Sequence, residues 1–385
     1  MLLNFSHEDL VANKGLATLT EITQQPQVWA EVLTLIENQK QVIENFLATH
    51  LTPDTQIIFT GAGTSEFAGN VLYLDLIKKG YDAKSIATTD LVTHPTHFLN
   101  SHKPTLLVSF ARSGNSPESV ATYNIVQQYV TTVSNLVITC NKDGALAKIA
   151  QINKNDLVLL MPEVSNDKSF AMTSSFTGMM VAAWLIFDLV NFVTNKNHLI
   201  QAIKEIDCNL KNNFLKLENL ANQKHERIVF LGGGILKGIA EESALKVLEL
   251  SAGEVATFFN TPVGFRHGPK SILNDKTIAF VLMNRNEYAR RYDLDLLKEL
   301  ATQNQLNQVI AIDCFDASQV SSLVQTLSCP LSINDDFLMG LNYVTQSQVY
   351  AFYKSLSLAK TPDNPWPSGL VNRVVQGVII HEFKA

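Results

Sequence analysis

Two stretches of this sequence share one pattern, in which an apolar strand leads into a glycine-rich turn and a helix. IIFTGAGTSEFAG begins at Ile57 and IVFLGGGILKGIA begins at Ile228. When the two are superposed, Gly61 aligns with Gly232 and Gly63 aligns with Gly234. Self-similarity of this kind is typical of an internal duplication. The sequence therefore predicts two copies of one strand-and-helix unit.

Apolar strand segments alternate with helical segments in both halves of the chain. Such alternation predicts an α/β fold with a parallel sheet that helices cover on both faces. The predicted strands lie within 57–65, 105–116, 135–144 and 156–162 in the first half, and within 227–243, 276–289, 308–314 and 327–333 in the second. Helices are expected over residues 1–50, 174–191 and 199–222.

A chain of 385 residues exceeds what one ordinary hydrophobic core supports, so we predict more than one domain. The expected boundaries are an N-terminal helical arm (1–50), a first domain (51–205), a second domain (206–360) and a C-terminal tail or lid (361–385).

The bulk charge argues against several classes of partner. A formal net charge of −6 predicts neither a nucleic-acid surface nor an anionic-membrane surface.

The four cysteines are scattered without metal-type spacing, and no leader peptide or membrane span is evident, which favours the cytoplasm. His94, His97 and His102 share one segment without a zinc-type motif, so we expect neither a metal nor another cofactor.

A serine-rich loop follows one predicted strand in SFARSGNSPES. One interpretation is an ordinary helix start, with Ser116 as the N-cap and Pro117 at the first helical position. The loop also supplies Ser113, Gly114 for close backbone approach, and the cation of Arg112. Hydroxyls and free N–H groups at a helix N-terminus favour an anion, so the sequence predicts a phosphate site.

The glycine turns do not match the common nucleotide-binding motifs. The first turn has Glu66 where a dinucleotide fingerprint needs its third glycine, and the second has Lys237 there. No Walker sequence follows the serine loop. A sugar phosphate or a similar monoester remains as the predicted ligand.

Candidate acid and base groups lie in the second half. In EESALKVLEL, Glu242, Lys246 and Glu249 share one helix face, which is either functional or an ordinary solvated salt-bridge face. His267 in FRHGP is either catalytic or structural. A carboxylate and a histidine would suffice for proton transfer next to a carbonyl group.

These motifs together resemble a known family. SFARSGNSPES resembles the phosphate loop of sugar isomerase (SIS) domains, and GAGTS resembles their first glycine turn. EESALKVLELSAG followed by FRHGP is similar to the isomerase domain of glucosamine-6-phosphate synthase. Nearly the whole chain, including DNPWPSGLVNRVVQGV, is similar to the AgaS-type galactosamine-6-phosphate deaminases, also labelled tagatose-6-phosphate ketose/aldose isomerases. The resemblance implies two tandem SIS domains, each a flavodoxin-like three-layer αβα sandwich.

The resemblance also implies roles for individual residues. Glu249 would move a proton between C1 and C2, His267 would assist ring opening from the neighbouring subunit of a homodimer with shared active sites, and Lys246 would support Glu249. Thr173 and Arg373 would lie near the sugar. The residues implied in phosphate binding are Gly63, Thr64, Ser65, Arg112, Ser113, Gly114, Asn115 and Ser116.

Two positions depart from the synthase pattern. Ala111-Arg112-Ser113 replaces a Ser-Gln-Ser sequence, which removes one hydroxyl and adds a cation. The synthase tail carries a lysine near the open-chain sugar, whereas here Arg373 is nearby and cannot form a Schiff base.

The implied activity is conversion of galactosamine 6-phosphate to tagatose 6-phosphate and ammonia. Release of ammonia is the expected direction, because the chain starts at Met1-Leu2-Leu3 without the synthase's glutaminase cysteine. The alternatives are plain ketose/aldose isomerisation of a hexose 6-phosphate, deamination of glucosamine 6-phosphate, and a sugar-phosphate sensor without catalysis.

Overall fold

The computed structural model describes residues 2–303, 306–315, 317–375 and 377–384, and these form two compact units. The first unit contains Gln27–Asp167, Met172–Lys196 and the chain from Ser368 onward. The second unit contains the chain up to Pro26, Lys168–Ala171 and Asn197–Pro367.

The N-terminal part of the chain is helical, as its periodicity predicts. It forms α1 (His7–Ala12), α2 (Leu16–Thr23) and α3 (Gln25–His50). Pro26 lies in the first turn of α3, where the N–H that proline lacks would have no helical partner. Ser6 caps α1 and exchanges hydrogen bonds with Asp9 in a capping box.

The first unit is built on five parallel strands. They are β1 (Gln56–Thr60), β2 (Asp82–Ser85), β3 (Thr105–Ala111), β4 (Val133–Thr139) and β5 (Asp156–Leu160), in the spatial order β2-β1-β3-β4-β5. The helices are α4 (Thr64–Lys78), α5 (Thr88–Thr93), α6 (Pro95–Phe98), α7 (Pro117–Tyr129), α8 (Ala145–Gln151) and α9 (Ser174–Ile186), and α10 (Phe192–Ala221) then continues into the second unit.

The second unit repeats the same topology. Its strands are β6 (Arg227–Leu231), β7 (Ala256–Asn260), β8 (Thr277–Leu282), β9 (Gln308–Asp313) and β10 (Gln325–Ser328), in the order β10-β9-β8-β6-β7. The helices are α11 (Leu236–Leu250), α12 (Pro262–Phe265), α13 (Glu287–Thr302), α14 (Ala317–Ser321) and α15 (Asp336–Ser357). Each strand of the first sheet has a counterpart five strands later, which confirms the duplication and the flavodoxin-like order.

Both sheets have buried centres. Every residue of β1 and β3 is buried, as is every residue of β8. Strands covered on both faces are nearly continuous apolar runs, which is why these strands were predictable from the sequence.

The short edge strands β2 and β7 escaped sequence prediction. β2 is only four residues long, and two of these are exposed. Its sequence DAKS lacks the apolar run that identifies a central strand.

The helix expected over 174–191 is shorter than predicted. It ends at Ile186, and a 3₁₀ turn at Leu189–Asn191 separates it from α10. In consequence α10 begins at Phe192, seven residues before the predicted start.

Across the residues that the structure describes, no single helix has the length and hydropathy needed to cross a membrane. Ser174–Ile186 and Leu189–Ala221 meet the criterion only as a pair that is bent by 86°. All thirteen residues of α9 are buried.

Candidate functional site

In the first unit, the glycine turn and the serine loop (residues 112–116) leave neighbouring strand ends. β1 and β3 pair in parallel, with Thr60 opposite Ser109. The strand order reverses between these two strands, because β2 lies on one side of β1 and β4 lies on the far side of β3. Open α/β sheets bind ligands at this kind of switch point, beyond the carboxyl ends of the strands.

The glycine turn permits a close approach between β1 and α4. A Cβ atom at Gly61 would lie 2.5 Å from the carbonyl carbon of Ser65, so only glycine fits without backbone movement. Gly63 has a φ of 55°, in the left-handed region that glycine adopts without strain. The turn thus brings Thr64 and Ser65 into the first helical turn, where both are buried.

The backbone of the serine loop is held by the segment that follows β4. The Asn141 side chain donates a hydrogen bond to the Ser113 carbonyl oxygen at 2.8 Å. The Leu146 N–H donates to the Gly114 carbonyl oxygen at 2.9 Å, and Gly114 has a φ of 63°. The conformation of the loop is therefore stabilised by hydrogen bonds from within the protein.

Asn115 has a structural partner. Its side-chain oxygen accepts a hydrogen bond from the Ala145 N–H at 2.9 Å. That interaction caps the start of α8, so the side-chain oxygen of Asn115 already has a partner within the protein.

Ser116 occupies the N-cap position of α7 but does not act as an ordinary cap. In the described structure its side chain accepts no hydrogen bond from the first-turn N–H groups. Instead its hydroxyl lies 2.6 Å from the hydroxyl of Ser119. Ser116 and Pro117 thus take the predicted N-cap and first helical positions, but the Ser116 side chain makes no capping hydrogen bond, and the paired hydroxyls lie at a positive helix end.

Arg373 and Thr173 both contact Asp167, which the sequence did not single out, and Arg112 contacts Arg373. The buried Arg112 donates to the Arg373 carbonyl oxygen at 2.8 Å, and the Arg373 guanidinium donates to the Asp167 carbonyl oxygen. The Asp167 carboxylate accepts hydrogen bonds from the Thr173 N–H at 2.8 Å and the Ser175 N–H at 2.9 Å.

Asp167 thereby caps α9. Thr173 itself is fully buried, and its hydroxyl lies 3.4 Å from Asp167. Asp167 lies six residues before Thr173, which is the N-cap residue of α9, so the usual N-cap pattern could not have identified it from the sequence.

In the second unit, the charged face of α11 is buried. Lys246 and Glu242 have no solvent-exposed side-chain surface, and the Lys246 Nζ lies 3.5 Å from a Glu242 oxygen. Lys246 also forms an ion pair with Glu249, whose side chain is 26% exposed. The alternative of a solvated salt-bridge face is therefore wrong. Instead Leu248, on the opposite face, is 40% exposed.

His267 lies on an exposed loop between β7 and β8. Its N–H donates to the Gly264 carbonyl oxygen at 3.0 Å, and the next residue, Gly268, has a φ of 110°. Phe265 is fully buried in the core of the second unit and anchors the start of the loop. The imidazole is thus accessible to a ligand.

The second unit keeps the glycine turn but has lost the serine loop. The alignment of Gly61 with Gly232 places Leu236 at the position of Ser65, which replaces a hydroxyl by an aliphatic side chain. The loop after β8 has four residues before its helix, whereas the loop after β3 has five. The Asn284 N–H and side-chain amide both donate to Asp293, at 2.8 and 2.9 Å.

Burial raises the pKa of Asp293 to about 6. In the second unit, the side chain of Asp293 therefore accepts the hydrogen bonds of the Asn284 N–H groups in this loop.

The first unit holds all the predicted phosphate- and sugar-binding residues, and the second unit holds Lys246, Glu249 and His267.

No group of three or more His, Cys, Asp or Glu residues forms a metal-binding cluster within the described ranges. His94 and His97 stack with ring centroids 5.3 Å apart.

Comparisons with known proteins agree with this architecture. The SIS domain model matches residues 50–189 and 220–351. A D-galactosamine-6-phosphate deaminase AgaS of Escherichia coli is 42% identical over 378 residues, covering 97% of this chain and 98% of the relative.

Two solved structures are also similar. A tagatose-6-phosphate ketose/aldose isomerase of Escherichia coli has 39% identity and a TM-score of 0.88, covering 96% of this chain and 97% of that one. A candidate isomerase of the same kind from Clostridium novyi NT has 42% identity and a TM-score of 0.97, covering 100% and 99%. With two SIS regions and 42% identity to an AgaS deaminase along nearly its whole length, this chain belongs to the SIS domain family.

Proposed function

We propose that this chain is an enzyme that converts galactosamine 6-phosphate and water to tagatose 6-phosphate and ammonia. The observation that carries the proposal is the 42% identity with a galactosamine-6-phosphate deaminase over 97% of the chain. The serine loop and the ion pair between the buried Lys246 and the partly exposed Glu249 support the proposal, because this reaction needs a phosphate-binding site and a proton-transfer group.

In this mechanism the serine loop and the glycine turn bind the phosphate. Ser65, Ser113 and Ser116 contribute hydroxyls, Gly63, Thr64, Gly114 and Asn115 contribute backbone groups, and Arg112 contributes positive charge. Thr173 and Arg373 lie on the sugar side. The phosphate-binding assignments are supported by positions at the N-termini of α4 and α7, where N–H groups and the helix dipole favour an anion.

Proton transfer follows ring opening. His267 moves a proton from the anomeric hydroxyl to the ring oxygen, which breaks the ring C–O bond. Glu249 then takes the C2 proton, giving an enolamine, and returns a proton to C1, giving a ketimine. Water adds to the C2=N bond, the amine leaves as ammonia, and the ketose remains. Lys246 keeps Glu249 charged and oriented.

The second candidate is ketose/aldose isomerisation without ammonia release. It is favoured by the 39% identical structure whose name describes that activity. The same histidine and glutamate would catalyse this reaction. With a hydroxyl at C2 in place of the amine, proton transfer from C2 to C1 gives the ketone directly, without hydrolysis of a ketimine.

One experiment separates these reactions. Purified protein is incubated with galactosamine 6-phosphate, glucosamine 6-phosphate and tagatose 6-phosphate, and ammonia and ketose are measured. Ammonia formed from galactosamine 6-phosphate supports the proposal. Aldose–ketose conversion without ammonia supports the isomerase, and binding without turnover supports a sensor. Ammonia from glucosamine 6-phosphate alone would reassign the substrate.

We also propose that the enzyme is a cytoplasmic homodimer with shared active sites, to which His267 contributes from the neighbouring subunit. The exposed position of the histidine loop supports this arrangement. All four cysteines are free thiols, which suits a reducing compartment. The shared active site is tested by mixing His267→Asn subunits with Glu249→Gln subunits and measuring activity. Each hybrid dimer would regain one intact site, with Glu249 from one subunit and His267 from the other.

A further inference from the structure

A single carboxylate holds the segment that carries His267. One oxygen of Glu299, on α13, lies 2.7 Å from the Arg266 Nε, and the other contacts the Lys270 Nζ. Arg266 immediately precedes His267, and Lys270 follows it by three residues. Lys270 also contacts the Gln303 side chain, one helical turn after Glu299. The histidine is therefore bracketed by two ion pairs to one residue.

The geometry of these ion pairs distinguishes them from ordinary surface pairs. The Lys270 side chain is 18% exposed and that of Glu299 is 26% exposed. Partly buried charges that share one carboxylate restrict each other more than isolated surface pairs do. Phe265 anchors the start of the loop in the core, and the Glu299 contacts hold the part that follows.

We propose that Glu299 is a positioning residue, which holds the His267 loop so that the imidazole is oriented for ring opening of the sugar phosphate. This inference rests on the role proposed above for His267. Proton transfer requires hydrogen-bond geometry between the donor and the ring oxygen. A displacement of about 1 Å in such a group reduces rates by about a hundredfold.

The charge of Glu299 is retained at neutral pH. The Lys270 ammonium, with Arg266 nearby, holds the pKa of the Glu299 carboxyl below its usual range. The ion pairs are thus present under the conditions in which the enzyme would work.

Ring opening can be measured apart from the later chemistry. In a Glu249→Gln background the C2 proton is not removed, so the enzyme catalyses only ring opening and closure. NMR saturation transfer between the α and β anomers of galactosamine 6-phosphate then gives the catalysed anomerisation rate, after subtraction of the uncatalysed rate. The double variants to compare carry Glu299→Gln, Glu299→Asp, His267→Asn or Glu226→Gln. Glu226 pairs with Lys276 on the surface of the same unit and serves as the matched control.

We expect Glu299→Gln to lower the anomerisation rate at least about tenfold, with substrate affinity changed less than about threefold. Glu299→Asp should recover part of the rate, and Glu226→Gln should match the background. If Glu299→Gln anomerises at the control rate while His267→Asn is slow, the positioning role is wrong and the proposed function stands. If His267→Asn is also as fast as the control, the ring-opening role of His267 is wrong, and the positioning role with it.

Folding is checked by circular dichroism and thermal melting. If Glu299→Gln does not fold, Arg266→Gln and Lys270→Met each remove one of the two ion pairs. An intermediate reduction of anomerisation in both variants supports the proposal, and unchanged rates in both overturn it.

Discussion

The ammonium of Lys246 forms an ion pair with the carboxylate of Glu249. The Lys246 side chain is fully buried, whereas the Glu249 side chain is 26% exposed. Glu242, also fully buried, lies on the other side of the same ammonium at 3.5 Å. The cluster thus holds two carboxylates and one ammonium along one face of α11. Within it, Glu249 is the carboxylate that keeps exposed surface, whereas Glu242 is fully buried.

Glu249→Gln should reduce kcat by about 10²- to 10⁴-fold, because the amide cannot accept the C2 proton. Binding of galactosamine 6-phosphate, measured by calorimetry, should change little. Glu254→Gln is the matched control, since Glu254 lies just beyond the same helix and pairs with Lys360. An unaffected kcat in Glu249→Gln would contradict the assignment.

Lys246→Met should destabilise the protein by about 3–5 kcal/mol, because it leaves two carboxylates without their buried counter-charge. Urea denaturation measures the loss. Adding Glu242→Gln should recover part of the stability but not the activity. Recovery of activity in the double variant would show that Lys246 acts only by compensating the charge of Glu242.

Ser113→Ala and Ser116→Ala should each raise KM while kcat changes less than about threefold, since the hydroxyls would bind phosphate equally in the ground and transition states. Ser101→Ala, in the same unit but outside the serine loop, is the control. Initial rates over a range of galactosamine 6-phosphate concentrations give both constants. A fall in kcat with an unchanged KM would assign these serines to the chemical step instead.

Asp293 should make stability depend on pH. Its pKa is about 6 in the folded protein because of burial, above its usual value of 3.8, so the folded state binds the proton more tightly than the unfolded state does. Protonation of Asp293 raises the free energy of unfolding by up to about 3 kcal/mol. This stabilisation is present below about pH 4 and is lost as the pH rises through 6.

Asp293→Asn preserves an oxygen that accepts the Asn284 hydrogen bonds but cannot ionise. Urea midpoints at pH 4.5 and pH 7 should therefore differ more for the natural protein than for the variant, after the shared pH dependence is subtracted. Equal shifts in the two proteins would show that Asp293 does not titrate in this range.

The main features of the fold follow from local sequence. Central strands such as β1 and β3 are continuous apolar runs, and the glycines at 61 and 232 mark turns that only glycine permits. Both signals act over a few residues, so the duplication and the parallel sheets were predictable. The edge strands β2 and β7 were not, because β2 has one apolar residue in four and β7 has only two large apolar residues.

The placement of charged groups depended on contacts between distant residues. The periodicity of α11 put Glu242, Lys246 and Glu249 on one face, but an apolar stripe of leucines lies opposite and equally suggested the buried side. Packing of α11 against α15 accompanies burial of the charged face instead.

The sequence by itself determined two α/β repeats, the position of the serine loop in the first, and its loss from the second. These depend on residue types and spacing along the chain. Only the tertiary structure decided that the Lys246 ion pairs are buried, that Asp167 joins Thr173 to Arg373, and that Glu299 holds the His267 loop. Arg373 lies 206 residues from Asp167, and Lys270 lies 29 residues from Glu299, so these contacts arise from folding and have no local sequence signal.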